Sequence, residues 1–243
     1  MKLKFIGTGN ITAIENSASY LIDDHVLVDC GNGIVKAVGQ AGHEVNDIDL
    51  LVITHLHGDH FLDIPFLIMK RCFTGADNEL KILCPKGTRK AVDDLMVLAY
   101  PDVFDFPAIL LGAHAEFVEY ETESSSHEYG KYTINTYPVA HGAFEDAYGL
   151  TISDGKSTIG FSGDSAYCEN IDTIVENSDV SVLDMSFVKG GYEHMGLDTM
   201  DIIINKFRKP IYATHMSKAS REKCCQINLA LLHVPEDGDE IEI

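Results

Sequence analysis

Three things are scarce in this chain, and each scarcity excludes something. No stretch approaches the roughly 20 consecutive apolar residues that a membrane-crossing helix needs, so no membrane span is expected. Basic residues are few, 18 Lys and Arg against 38 Asp and Glu, which leaves a formal charge of −20. Such a surface repels phosphate backbones and anionic headgroups at long range, and this argues against a large nucleic-acid partner or a membrane surface. The one local exception is Lys70-Arg71 with Lys86, Arg89 and Lys90, read here as a solvated face. Paired cysteine motifs are missing too. Cys30, Cys72, Cys84, Cys168, Cys224 and Cys225 contain no CxxC and are expected as reduced thiols, with Cys224-Cys225 packed in a helix. The start, Met1-Lys2-Leu3-Lys4-Phe5, runs into a glycine turn rather than a signal-peptide core, which makes a soluble, cytoplasmic protein the expectation.

What is present is a chain of 243 residues, 45% hydrophobic, with no linker or low-complexity tract. A single domain over residues 1–243 is the simplest organisation. Period-two and apolar segments predict strands at Lys2 to Ile6, Ser19 to Ile22, Val26 to Asp29, Leu50 to Thr54 and Lys81 to Cys84. A second sheet is predicted from Glu116 to Tyr120, Tyr132 to Pro138, Tyr148 to Asp154 and Ser157 to Ser162, with Asp154-Gly155 as a hairpin turn. Further strands are expected at Val180 to Met185 and Pro210 to Thr214. Helices are expected at Gly33 to Ala41, Ile64 to Phe73, Thr88 to Ala99, Met200 to Phe207 and Ser220 to Leu232. Mixed sheets packed face to face with helices outside follow from that pattern.

The densest chemical signal is Thr54-His55-Leu56-His57-Gly58-Asp59-His60, an HxHxDH run directly after an apolar strand. Imidazole and carboxylate are ligands that divalent zinc, manganese and iron accept, and so short a run cannot complete two metal sites alone. The missing ligands are sought where an apolar strand ends in His or Asp beside a small residue. His141 after Tyr137 to Ala140, Asp164 after Ile159 to Gly163, and His215 after Ile211 to Thr214 meet that condition. The seven donors suit two ions with positions left open for water. His25, His43, His114, His127 and His233 lack this context and are expected at the surface.

With these residues in place the chain resembles the metallo-β-lactamase fold superfamily. The resemblance implies an α+β fold, a four-layer αββα sandwich of two mixed β-sheets flanked by helices. Carried over by motif, it implies that His55, His57 and His141 hold one ion, Asp59, His60 and His215 the other, and that Asp164 bridges them. Two divalent ions are implied, with Zn²⁺ first and Mn²⁺ or Fe²⁺ as alternatives. Asp59 is a ligand and also a candidate catalytic residue that orients the nucleophile. A net positive centre that makes hydroxide available at neutral pH attracts a small anionic substrate.

The stretch Asp184-Met185-Ser186-Phe187, followed by Glu193-His194-Met195-Gly196, resembles the phosphodiester-cleaving branch that contains ribonuclease Z and its smaller relatives. There a histidine in this loop enters the site, which implies that His194 is catalytic, stabilising developing charge or protonating the leaving oxygen. Phe5-Ile6-Gly7-Thr8-Gly9, Asn16-Ser17-Ala18-Ser19-Tyr20, Val28-Asp29-Cys30-Gly31-Asn32-Gly33 and Ser162-Gly163-Asp164-Ser165 resemble other motifs of that branch. Asp29 is expected to support the histidine cluster through hydrogen bonds. Gly7-Thr8-Gly9 is not a dinucleotide fingerprint, because Thr12 stands where the third glycine is required.

One departure narrows the reading. The ribonuclease Z arm, inserted between the third and fourth motifs to grip transfer RNA, is replaced here by a short hairpin between His141 and Asp164. The expected function is therefore a metal-dependent phosphodiesterase acting on a small phosphodiester, a cyclic nucleotide or nucleotide-derived ester, through a metal-activated hydroxide. The alternatives are a transfer-RNA 3′-processing endonuclease, a hydrolase of lactones, thioesters or β-lactams, and a metal-binding protein without turnover. Phe61 to Phe66 and Tyr100 to Leu111 are apolar enough to wall a substrate site, and Phe144 and Tyr148 are candidates to stack on a base, with core packing as the plainer role. The resemblance also leaves a homodimer open.

Overall fold

Side-chain alternation along the first strands decides the layering. The computed structural model describes residues 1–102, 105–120, 122–227 and 229–243. In β1 (Lys2–Gly7) Leu3 and Phe5 enter one apolar cluster, and in β2 (Ser19–Ile22) Tyr20 and Ile22 join them while Leu21 enters another. β3 (Val26–Val28) and β4 (Leu50–Val52) repeat the division, sending Leu27 and Leu51 to the far side. A sheet apolar on both faces needs two covers.

One cover is helical. Helices α1 (Ile34–Gln40), α2 (Gly58–Phe61), α3 (Ile64–Thr74), α4 (Thr88–Ala99) and α5 (Phe106–Gly112) all contribute side chains to the outer cluster. The other cover is a second sheet. With β5 (Leu80–Cys84) and β6 (Ala115–Glu119) in the first sheet, the chain passes to β7 (Ser125–Tyr129), β8 (Tyr132–Pro138), β9 (Tyr148–Ser153), β10 (Thr158–Phe161), β11 (Val180–Asp184), β12 (Ile211–Thr214) and β13 (Leu232–His233). It returns through β14 (Glu240–Glu242) to the edge of the first sheet beside β1. Ile134, Leu150, Ile152, Ile159, Phe161 and Val182 of the second sheet fill the space between the sheets. Its outer face is covered by α6 (Glu169–Glu176), α7 (Leu197–Phe207) and α8 (Lys218–Cys224), which pack over Leu183, Ile211 and Ala213.

The sheets run β14-β1-β2-β3-β4-β5-β6 and β13-β12-β11-β10-β9-β8-β7, seven strands in each. Both are mixed: antiparallel from β14 to β3 and from β7 to β10, parallel from β3 to β6 and from β10 to β13. This is the αββα metallo-β-lactamase sandwich. No helix among the described residues is long and apolar enough to cross a membrane.

Several expectations need correction. Glu116 to Tyr120 does not open the second sheet; as β6 it pairs parallel to β5 in the first, because the α4 and α5 connection returns the chain alongside β5. The helix expected from Ser220 to Leu232 is confined to Lys218–Cys224, and Leu232 instead pairs with Ile211 as the start of β13. Its last half is apolar because Leu229 and Leu231 pack on the α7 side of the core, not because it forms a helical face. Position 228 lies outside the described residues. Cys224 is buried at the end of α8 and Cys225 is exposed. Strand β7, polar and serine-rich, and strand β14, mostly acidic, carried no apolar pattern to reveal them; α5 and α6 were also missed.

Arg71 overturns the reading of the basic face. It is fully buried, while the half-buried Arg89 and the exposed Lys90 pair along α4 with Asp93 and Asp94. Its guanidinium donates to the carbonyls of Val45, Asn46 and Ile48, the last at 2.6 Å, and to both the carbonyl and Oδ1 of Asn78. These bonds tie the turn before β4 to α3, the two segments that flank the HxHxDH run. Replacing Arg71 with Met should lower the free energy of unfolding in urea by about 3 kcal/mol or more, since hydrogen bonds to a charged group contribute roughly 1.5–3 kcal/mol each and their acceptors would stay buried. A loss under about 1 kcal/mol would show that water replaces the guanidinium.

Candidate metal centre

Every donor singled out from the sequence follows the carboxyl end of a strand, and these ends lie together. β4 leads through Ile53 and Thr54 to His55, β8 to His141, β10 to Asp164 and β12 to His215. β3 delivers Asp29, whose φ of +58° is unusual for a residue with a side chain. Three hydrogen bonds of 2.8 Å hold it there, from Thr54 N, Thr54 Oγ1 and His60 Nδ1. The next turn presses on the ligand helix so closely that a Cβ at Gly31 would lie 1.8 Å from the Asp59 carbonyl oxygen. Only glycine permits that approach.

The donor atoms fall into three groups, within each of which they lie no more than 4.8 Å apart: His55, His57, His141 and Asp164; Asp59, His60 and His215; and Asp164, Asp184, His194 and His215. Asp164 and His215 each belong to two groups, and the Asp164 carboxylate lies within 3.7 Å of Nε2 of His55, His60 and His215. Nε2 of His55 and of His60 are buried without a hydrogen-bond partner. His141 Nε2 and His57 Nδ1 face each other at 3.0 Å, a hydrogen bond in which His57 Nδ1 can donate and whose two nitrogens a shared cation could also take. Nitrogen and carboxylate donors aimed inward, several of them orphaned, fit divalent ions of the zinc, manganese or iron kind.

The opposite ring nitrogens are fixed by the protein. His60 Nδ1 is held by Asp29, and His141 Nδ1 by the Glu193 carbonyl at 2.9 Å. His215, strained at φ +53°, is held through Nδ1 by Ser186 Oγ at 2.7 Å, and the same hydroxyl reaches the His215 carbonyl at 2.9 Å. Such contacts choose the tautomer and direct Nε2 inward. The proposed support from Asp29 is thus realised in geometry. Sequence reading passed over the equivalents at Ser186 and Glu193.

Charge follows the same layout. Burial, reinforced by His60, holds His55 well below the usual imidazole pKa, and burial with His141 lowers His57. Burial alone would raise Asp164, but His215 and His60 outweigh it and keep the carboxylate ionised well below its ordinary range. For His60, burial is overcome by Asp164 and Asp29, which raise it well above the ordinary value. His215 behaves likewise: Asp164 and the hydrogen bond to Asp184 outweigh burial and raise it to about 10. Protons therefore compete with any cation for His60 and His215.

His194 comes from the loop between β11 and α7 and enters the same site. Its Nδ1 lies 2.7 Å from Asp184 Oδ2, and its ring stacks at 5.4 Å on His215. Burial lowers its pKa, but the Asp184 hydrogen bond and charge more than reverse this, so it is raised. Asp184, buried, also accepts from the backbone N–H groups of Ser186 and Ser165. Asp184 also closes a strand, Val180 to Leu183, but stands between Leu183 and Met185 with no small residue beside it, so the strand-end criterion did not single it out. A cleft of about 370 Å³ opens over Asp59, Asp164, His194 and His215, with Asn10, Ile11 and Phe187 among its walls.

Other expected site residues lie elsewhere. Tyr148 is buried against Tyr120 between the sheets, and Phe144 packs on the ring of His57 at 4.7 Å, bracing the donors. Phe61 and Ile64 point into the outer core. The segment from Tyr100 to Leu111 borders a separate hollow with Asp93 and Met96 that contains none of the donors; positions 103 and 104 fall outside the described residues. His25, His114 and His233 are exposed as expected, while His43 and His127 are half-buried beside Asp24 and Ser125.

Comparison with known proteins agrees with this architecture. Residues 1–230 match the family described as "Anti-Pycsar protein Apyc1". A ribonuclease Z from Methanocaldococcus jannaschii is 32% identical over 155 residues, covering 61% of this chain and 46% of that protein. The chain thus spans about half the length of that curated relative. Among solved structures, the short form of human tRNase Z superposes with a TM-score of 0.76 at 18% identity, covering 100% of this chain and 99% of the other. The metallo-β-lactamase fold protein YhfI of Bacillus subtilis gives 0.78 at 19% identity, covering 99% and 98%.

Two measurements probe the centre. Asp29→Ala should weaken metal binding about 10- to 100-fold in competition with a chromogenic chelator, because His60 loses the partner that orients it. Metal affinity should fall as pH is lowered, with protons released on binding in calorimetry across buffers of different ionisation heat. Uptake without proton release would mean that His60 and His215 are not displaced.

Proposed function

The chain belongs to the family described as anti-Pycsar protein Apyc1, within the ribonuclease Z-like branch of the metallo-β-lactamase fold superfamily, and from that premise we propose that it is a metal-dependent phosphodiesterase acting on a small phosphodiester, a cyclic nucleotide or nucleotide-derived ester. The observation that carries the reading is His194, pinned by Asp184 at 2.7 Å in the same cleft as Asp59, Asp164 and His215.

His55, His57 and His141 would hold one ion and Asp59, His60 and His215 the other, with Asp164 shared; zinc suits the donors, and manganese or iron are accepted by the same set. Two such ions would supply hydroxide at neutral pH and offset phosphate charge. The chain's own contribution is positional. Asp59, 3.3 Å from His215 Nε2, places a carboxylate at the cleft floor where it can orient the attacking oxygen. His194, its Nδ1 occupied by Asp184, presents the opposite nitrogen as a donor to the leaving oxygen. Its raised pKa keeps the proton available near neutrality.

Small size is the part of the proposal that the relatives named ribonuclease Z oppose. It is supported by the connection from His141 to Asp164, which is only the hairpin of β9 and β10 with no protruding arm, and by the charge of −20. Transfer-RNA processing is the second reading. A carbonyl substrate such as a lactone, and binding without turnover, are left as outcomes of the tests. A homodimer and a cytoplasmic location belong to the same proposal; the six cysteines, all free, fit a reducing compartment.

Zinc- or manganese-loaded protein should hydrolyse bis-p-nitrophenyl phosphate, lose this with a chelator, and leave precursor transfer RNA intact. Faster cleavage of lactones or of precursor transfer RNA would overturn the substrate choice. His194→Ala should reduce kcat about 10²- to 10⁴-fold with metal content retained; loss of metal would make His194 a ligand instead. Activity should decline as pH rises through the raised pKa of His194, and Asp184→Asn, which removes the carboxylate that raises it, should move that alkaline limb to lower pH.

A further inference from the structure

One wall of the cleft, formed by Asn10, Ile11 and Thr12, belongs to the loop between β1 and β2. Apolar packing does not fix its tip, since Ile11 and Ile14 are 76% and 99% exposed. Bonds within the loop, from Gly9 N to Asn16 O, Ala18 N to Gly9 O and Ala13 N to Asn10 O, set its shape and leave its placement open. Its base is fastened by Asn16 Nδ2 to Ile6 O and by Ser17 Oγ to Asn32 Oδ1. The backbone links to Met216, from Asn10 N at 3.4 Å and to Thr8 O at 3.2 Å, are long.

Shorter bonds come from side chains outside the loop. Arg221, in α8, donates from Nη2 to Thr8 Oγ1 at 2.8 Å and from Nη1 to Pro235 O at 3.0 Å, and its Nε lies 3.4 Å from Glu15 Oε1 on the returning arm of the loop. Thr8 is fully buried; its hydroxyl accepts from Arg221 and donates to Asp237 Oδ1 at 2.9 Å. The other oxygen of Asp237 accepts from Asn16 N at 2.8 Å. The guanidinium thus reaches both arms of the loop, which its planar fork allows and the single ammonium of a lysine does not. Helix α8 also stands on the site. Ser217 caps it through Oγ, and Ser220 Oγ donates to the carbonyl of Ser186, whose own hydroxyl holds His215.

We propose that Arg221 is a positioning residue for the cleft: it ties the Asn10–Thr12 wall to the frame that carries His215, and so sets how well a substrate is gripped. Arg221 is not among the side chains that line the cleft or form the donor groups. His215 keeps its bonds to Ser186 without it, so the donors are left in place. The inference deepens the phosphodiesterase reading and rests on it only for the kinetic readout. A wall that is not held must be ordered each time a substrate binds, and this loss falls on KM rather than kcat.

The test uses the zinc-loaded full chain, followed by amide hydrogen exchange, by KM and kcat for bis-p-nitrophenyl phosphate, and by zinc affinity against a chromogenic chelator. Arg221→Met, which keeps the stem and removes the fork, should speed exchange over residues 9–18 about tenfold and raise KM about three- to tenfold, with kcat and zinc affinity within about twofold of the natural chain. Thr8→Val, which removes the hydroxyl at nearly constant shape, should do the same, whereas Thr8→Ser should match the natural chain. Lys218→Ala, on the same helix with a side chain 84% exposed, should change none of these readouts. Unchanged exchange over 9–18 in Arg221→Met or in Thr8→Val overturns the positioning role. So does faster exchange throughout the chain, β9 included, which would make Arg221 a residue of general stability, and so does a loss of zinc affinity, which would place its effect on His215. Where the natural chain hydrolyses the ester, an unchanged KM or a fall confined to kcat overturns it as well. If the natural chain hydrolyses no phosphodiester, the phosphodiesterase reading fails, and hydrogen exchange still decides for or against the clamp.

Discussion

Asp164 lies buried with its carboxylate 3.3 Å from His215 Nε2, 3.4 Å from His60 Nε2 and 3.7 Å from His55 Nε2, and close to Asp59 through the histidines they share. In so dry a place two carboxylates need compensating positive charge, and the surrounding imidazoles meet that need with protons or by sharing a cation. The strands around this point end so as to aim donors inward, and the residues behind them are chosen to stop the donors turning away. The same demand explains why histidines within one site differ so much: His55, with no carboxylate hydrogen-bonded behind it, is held neutral, whereas His60 and His215 have Asp29 and Asp184 near their outer nitrogens and keep their protons.

Positioning of this order cannot come from loops alone. Asp29 and His215 both sit at positive φ, and each is tied by hydrogen bonds that make the strained conformation the satisfied one. Gly163, at φ +57°, leaves 2.7 Å between its absent Cβ and the Tyr148 carbonyl, so the turn before Asp164 can pass under β9. Arg71, far from the chemistry, holds the turn that starts β4. The His194 loop is joined to the first donor group through the Glu193 carbonyl, which lies 2.9 Å from His141 Nδ1.

Much of this was legible in residue order. Apolar runs bounded by turn residues located most strands to within a residue or two, and Thr88–Ala99 was found at both ends, because burial on one or two faces leaves a period in the sequence. The HxHxDH run and the strand-end rule single out seven His and Asp side chains that the fold gathers into neighbouring groups. The failures are equally physical. β7 and β14 are edge strands paired on one side only, so they carry polar or acidic residues. Leu229 to Leu232 is apolar enough to extend a helix, and only the need to pair with β12 makes its end a strand. Arg71 looked like surface charge because its carbonyl partners, near Val45 and Asn78, are unmarked in a sequence.

Residue order singled out the His and Asp side chains that come together in the cluster, and it determined the two-sheet architecture, because residue type, spacing and hydrophobic period are local properties. Tertiary structure decided which nitrogen of each histidine faces inward, that Asp184 stands behind His194 and His215, that Tyr148 belongs to the core, and that Asn10 and Phe187 border the cleft. Each of these depends on contacts between segments far apart in the chain: Asp29 with His60, Ser186 with His215, Glu193 with His141. Hydrogen-bond partners across such distances are selected by how the sheets pack, and packing leaves no periodic mark at either end of the bond.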